Sequence, residues 1–229
     1  GYEMEGIIQN EKQLQEYLDR NCSGDKANSL QGESLQPGDV MFKDVNGNGK
    51  IDKGDEDKTM IGDPNPDFTM GLNINLSYKG FDFALNGYGS FGQQVAKSYR
   101  QFSDHPDDNY CTDVYTKYWT GEGSTNQYPR FSDGKTANMS EISRVWIEDA
   151  DFFKISRISL GYDFKKLYKK LPVQKCRLYV SLSNYICFTG YSGMDPEVGF
   201  GNGTSWASGI DCGYYPSSRS FQVGMNINF

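Results

Sequence analysis

Residues 68–91 read FTMGLNINLSYKGFDFALNGYGSF, and the spacing of their apolar side chains decides the fold. Phe68, Met70, Leu72, Ile74, Leu76 and Tyr78 recur at every second position, and Thr69, Gly71, Asn73, Asn75 and Ser77 fill the places between. A period of two is that of a β-strand, whose side chains point to opposite faces in turn. Tyr78-Lys79-Gly80-Phe81 predicts a tight turn. Beyond it Phe81, Phe83, Leu85 and Phe91 oppose Asp82, Asn86, Tyr88 and Ser90. The result is a hairpin with one greasy face and one face rich in amides, hydroxyls and glycine. A strand buried in a sandwich seldom has such a reverse side; a strand between hydrocarbon and a watery lumen has it naturally.

The pattern recurs downstream. In 152–164, FFKISRISLGYDF, the residues Ile158, Leu160, Tyr162 and Phe164 share a face. In 176–188, CRLYVSLSNYICF, Leu178, Val180, Leu182, Ile186 and Phe188 oppose Arg177, Tyr179, Ser181, Ser183 and Tyr185. The last stretch, SFQVGMNINF, sets Phe221, Val223, Met225, Ile227 and Phe229 against Gln222, Gly224, Asn226 and Asn228. Connections alternate between compact (79–80, 165–174) and long (about 92–150, 189–217), the asymmetry of an outer-membrane barrel. Five strands fall short of the roughly eight that the smallest membrane barrels need. The expectation is therefore an all-β fold: an antiparallel transmembrane β-barrel segment with long extracellular loops carrying short helices, completed by strands from a longer polypeptide or from partners. Residues 1–67 are read as an extracellular loop region and 68–229 as C-terminal barrel strands with their loops.

Composition narrows the function. The 229 residues carry a net charge of -7 with a pI near 4.8, and their longest basic run is the short KKLYKK at 165–170, which argues against nucleic acid as a partner. No apolar run approaches the roughly 20 residues of a transmembrane helix. The opening GYEMEGIIQN lacks the apolar core of a signal peptide. Residues 10–20 place Leu14, Tyr17 and Leu18 at helical spacing on a short surface helix. Five cysteines form no CxxC pair; Cys22, Cys111 and Cys212 stand in polar surroundings, and Cys176 and Cys187 bracket one strand, too far apart to bond. His105 is the single histidine, in SDHPDDNY, and neither a catalytic triad nor a phosphate-binding glycine loop is signalled, so no enzyme is expected.

Ahead of the first hairpin lies DVNGNGKIDKGDED (44–57), spaced like an EF-hand calcium loop. Asp44, Asn46, Asn48, Asp52 and Asp55 occupy loop positions 1, 3, 5, 9 and 12, Gly49 the turn position, and Lys50 offers its carbonyl from position 7. An Asx/Gly-rich turn without metal is the competing reading. Two asparagines and a closing Asp predict modest affinity for Ca2+, suited to the millimolar calcium outside cells. Loop aromatics are the candidate ligand contacts: Tyr118 and Trp119 in NYCTDVYTKYW, and Trp206 and Tyr214 in the last long loop. Rings of this kind stack on sugars, but in DVYTKYW they also suit packing of the loop.

Taken in order, PGDVMFKDVNGNGKID (37–52), IGDPNPDFTMGLNINLSYKGFDF (61–83), WIEDADFFKISRISLGYDF (146–164), GYSGMDPEV (190–198) and YYPSSRSFQVGMNINF (214–229) resemble the C-terminal end of the SusC/RagA class of TonB-dependent outer-membrane transporters of Bacteroidetes. The resemblance implies a barrel of about 22 strands plugged by an N-terminal domain. It implies nutrient import (glycans, or peptides in some members), energy through the TonB complex, and a SusD-like lipoprotein closing over the outer loops. Neither the plug nor a TonB-contacting segment is present in these 229 residues. The rival readings are a soluble calcium-stabilised β-sandwich that binds carbohydrate, and a dockerin-like module, which would need a second calcium loop and helical flanks.

Overall fold

The computed structural model describes residues 1–21, 30, 35–98, 112–131, 138, 141–197, 209–213 and 215–229. In chain order the elements are β1 (Met4–Ile7), α1 (Glu11–Asn21), β2 (Val40–Phe42), β3 (Phe68–Tyr78), β4 (Phe81–Phe91), β5 (Gln94–Ala96), α2 (Thr112–Lys117), β6 (Ile147–Asp149), β7 (Phe152–Asp163), α3 (Phe164–Leu167), β8 (Lys175–Thr189) and β9 (Ser220–Asn228). They divide into two compact units. Residues 1–63, 95–148 and 199–213 form one, and 64–94, 149–198 and 214–229 the other.

The second unit is a five-stranded antiparallel meander in the order β3-β4-β7-β8-β9. Its first turn is tight because Lys79 (φ 47°) and Gly80 (φ 98°) both adopt the left-handed conformation that a two-residue hairpin turn requires. Register then aligns the apolar positions across all five strands. One row runs Leu76–Phe83–Leu160–Val180–Val223, and the next runs Ile74–Leu85–Ile158–Leu182–Phe221. Nothing among the described residues covers this face: Leu76 is 61% exposed, Phe221 60% and Val223 61%. The sandwich reading required a second sheet over these rows, and Leu72, Leu182 and Val223 share no core. Eleven residues in each of β3 and β4, at about 3.3 Å apiece and tilted about 45°, span roughly 25 Å, the height of the apolar band of a membrane barrel.

The opposite face is polar and tied laterally. Asp82 on β4 and Arg177 on β8 form a two-pronged ion pair over the intervening β7, Nε to Oδ1 at 2.8 Å. It crosses at Gly161, where a Cβ would stand 2.6 Å from the guanidinium. Gly224 likewise makes room for the Tyr179 ring, over which Arg177 stacks at 4.6 Å. Small residues on β7 and β9 thus let long side chains lie flat on the sheet.

The first unit has an ordinary core. Strands β1 and β2 pair, and Tyr2, Val40, Phe42, Ile51, Val114, Tyr128, Val145 and Trp146 bury together, with Ile8, Leu14, Tyr17 and Met41 in a second cluster under α1. The stretch 95–148 supplies Val114, Tyr128, Val145 and Trp146 to the core of residues 1–63. Within that stretch, Lys97 pairs with Glu148 and donates to the Tyr128 hydroxyl at 3.1 Å.

The two faces of the sheet should respond differently to charge. In the protein folded into lipid vesicles, Val223→Arg should cost up to about 4 kcal/mol, whereas Gln222→Arg, one residue away on the polar face, should cost less than about 1 kcal/mol. Urea unfolding compares them. Equal losses would contradict a hydrocarbon-facing row.

Candidate functional site

The 44–57 loop adopts a tight turn held by its own side chains. Asp44 accepts the amides of Gly47 (2.6 Å) and Gly49 (2.8 Å), while Asn46 and Asn48 accept those of Asn48 (2.9 Å) and Lys50 (3.0 Å). The side-chain amides of Asn46 and Asn48 both donate to Asp52, and the Lys50 ammonium stands 2.6 Å from its other oxygen. This Lys50 contact is the main reason the Asp52 carboxyl titrates below its usual range; burial opposes it and the two asparagines add to it. Its contribution to the loop is therefore complete above the ordinary Asp pKa of about 3.9 and fades as pH falls through the lower folded value.

The closing residue differs from the one that EF-hand spacing picks. Asp55 is 92% exposed on its side chain and pairs with Lys58 at 2.9 Å. Asp57, fully buried, turns inward and accepts the amides of Val45 (2.9 Å), Asn46 (3.3 Å) and Asp52 (2.6 Å). Tyr2 completes the clasp by donating to the carbonyls of Asp52 (2.9 Å) and Gly54 (3.2 Å). The donor set is oxygen-rich, as a hard cation needs. Even so, no three acidic, histidine or cysteine side chains converge as a metal cage among the described residues.

Of the loop aromatics, Tyr118 and Trp119 are half-buried. Tyr118 stacks on Phe131 with centroids 4.1 Å apart, and the Trp119 indole donates to Gln9 at 3.1 Å and lies against Gly38. Both are engaged in packing the first unit. Trp206, Tyr214, His105, Cys22 and Cys111 lie outside the described residues; Cys176, Cys187 and Cys212 are free thiols.

A second polar cluster went unnoticed in the sequence. Register aligns Tyr88, Lys154 and Cys187 in one row of the polar face. Lys154, 4% exposed, pairs with Glu197 and Asp195 (3.7 Å) and donates to Ser217 (3.2 Å), while Tyr88 donates to Glu197. One buried ammonium thus fastens 195–197 and 217 to the strand wall. The signal was a lone lysine in FFKIS facing two acids in MDPEV about 40 residues on, which only tertiary structure connects.

The two carboxylates of the 44–57 loop should separate cleanly. Asp57→Ala orphans three amides and should lower the local opening free energy by about 3 kcal/mol, read as faster hydrogen exchange at Val45, Asn46 and Asp52. Asp55→Ala should leave those rates unchanged. The reverse ranking would restore Asp55 as the closing residue.

No protein-family model matches the chain. Among characterised proteins it is similar to TonB-dependent receptor P3 of Formosa agariphila, 33% identical over 206 residues, covering 88% of this chain and 20% of that protein. It is also similar to TonB-dependent receptor SusC of Bacteroides thetaiotaomicron, 32% identical over 204 residues, covering 86% and 18%. Among solved structures, the RagAB peptide importer in its open-open state superposes over 100% of this chain and 22% of that one, with a TM-score of 0.66 at 18% identity. The chain therefore spans about a fifth of the length of the relatives it matches. By sequence the chain is similar to TonB-dependent receptors, SusC among them, and its fold is that of the matching part of RagAB.

Proposed function

We propose that the chain is the C-terminal part of the barrel of an outer-membrane transporter that imports nutrients. The cargo is a glycan or a peptide, TonB supplies the energy, and a SusD-like surface lipoprotein covers the outer loops. The observation that carries this reading is the uncovered apolar face running through five registered strands whose reverse side is polar. Strands β3 and β9 end the sheet within this chain, so the remaining strands and the plug belong to the rest of the receptor. The long connections all join the strands at one end of the meander, which this reading assigns to the cell exterior. Tyr118 and Trp119, half-buried against Phe131 and Gln9 in the first unit, remain candidate ligand contacts through their exposed edges.

The full-length gene decides the matter. Its disruption should abolish growth on one glycan or peptide source, loss of TonB should reproduce that defect, and the product should fractionate with the outer membrane. A soluble product, or growth that persists without TonB on every nutrient the gene supports, would refute the reading.

We also propose that the 44–57 loop takes Ca2+ through Asp44, Asn46, Asn48, Asp52 and the Lys50 carbonyl. The Asp44-anchored turn supports this. The Lys50 ammonium on Asp52 competes with it and keeps affinity in the range of about 0.1–1 mM typical of extracellular modules. Lys50→Met should then tighten binding several-fold, measured by calorimetry on the full-length receptor with protection of 44–57 from protease as a second readout. Protection that ignores both calcium and chelator would remove the metal.

A further inference from the structure

The polar face of the sheet carries a cavity of about 560 Å3, within the roughly 300–1,000 Å3 typical of small-molecule sites. Lys154, Asn184, Cys187 and Thr189 on the strands line it together with loop residues 193–196 and 215–219. On the transport reading this face borders the solute path, so a cavity here would be met by cargo.

Its charges are unevenly committed. Lys154 is consumed by Glu197, Asp195 and Ser217, and Asp195 in turn accepts the amides of Ser217 (3.0 Å) and Glu197 (3.1 Å). Arg219 lines the same cavity, is exposed, and makes no hydrogen bond or ion pair among the described residues. Tyr215 beside it is 87% exposed, and Asn184 gives its amide nitrogen to the Ser218 carbonyl at 3.2 Å, which leaves its side-chain oxygen to accept. The cavity thus presents one free guanidinium, one bare ring and one free amide oxygen, with both acids of its loop held on Lys154, which offsets one of their two charges. A guanidinium pairs with a carboxylate through two parallel hydrogen bonds.

We propose that this cavity is a subsite for a carboxylate-bearing solute, an acidic oligosaccharide or a peptide C-terminus, with Arg219 holding the carboxylate and Tyr215 flanking the body of the ligand. The inference rests on the transport reading for its biological meaning, but its test does not need transport.

Purified full-length receptor would be titrated with two matched pairs: trigalacturonate against its methyl ester, and trialanine against its C-terminal amide. The acidic member of at least one pair should bind about tenfold more tightly and should slow modification of Cys187 by N-ethylmaleimide, mapped by peptide mass. Arg219→Gln should erase that preference while leaving the affinity for the neutral twin unchanged, and Arg219→Lys should keep part of it. The responding pair identifies the source of the carboxylate. Binding of no probe, equal binding within both pairs, or a preference that survives Arg219→Gln would overturn the subsite. Loss of uptake in cells with acid preference intact would count against transport alone.

Discussion

Backbone pairing in register is the constraint on which the second unit depends. In hydrocarbon an unpaired N–H or C=O costs several kcal/mol, so a strand can face lipid only if its neighbours take every main-chain group. Strands β4, β7 and β8 meet that condition on both sides, and β3 and β9 on one side within this chain. The same register puts the large apolar side chains in rows, since a slip of one residue would turn them all to the other face. Lipid has no fixed shape, so Leu, Phe, Val, Met and Ile interchange along these rows without a jigsaw fit. The polar face is the exacting one. There a two-pronged ion pair must cross a glycine, and a tyrosine must lie flat over another.

The first unit solves a different problem. Its segments come from separated stretches of chain, and an apolar core around Tyr2, Phe42 and Trp146 joins 1–63 with 95–148. Buried charges then fix which segment meets which. Asp39, fully buried, faces the Arg130 guanidinium at 2.7 Å and accepts from Asn138 at 2.7 Å, while Asn138 accepts the Val40 amide at 2.9 Å. Pairs of this kind add little net stability, because desolvation offsets attraction, but a wrong partner would leave a charge stranded.

What could be read from sequence follows from how local each signal is. Period two located β3, β4, β8 and β9 to within a residue or two, because every position of an isolated lipid-facing strand obeys one rule. In β7 the rule was visible only from Ile158 onward. The register shifts at Ser156, whose hydroxyl donates to the Asn86 carbonyl at 3.1 Å, so the apolar face moves from Phe153 and Ile155 to the even positions beyond. Strands β1 and β2, of four and three residues, are too short to show any period. The 44–57 loop was recognisable from its Asx and glycine spacing, but the template assigned closure to position 12. The choice between Asp55 and Asp57 depends on Lys58 drawing the first outward and three amides drawing the second in. The Lys154 cluster joins residues about 40 positions apart and leaves no periodic trace.

The free Arg219 sits in a chain whose net charge is -7. At physiological salt the screening length is about 8 Å, so that surplus repels anions only close to the surface, and one guanidinium cannot steer them from afar. Its influence begins once a solute is already against the polar face. There the Lys154 cluster matters again: the buried ammonium holds both Asp195 and Glu197 and offsets one of their two charges. Were that ammonium removed, the loop would carry two uncompensated negative charges in place of one, and the cavity would repel an anionic solute more strongly. The buried lysine therefore limits the negative charge that Arg219 has to overcome.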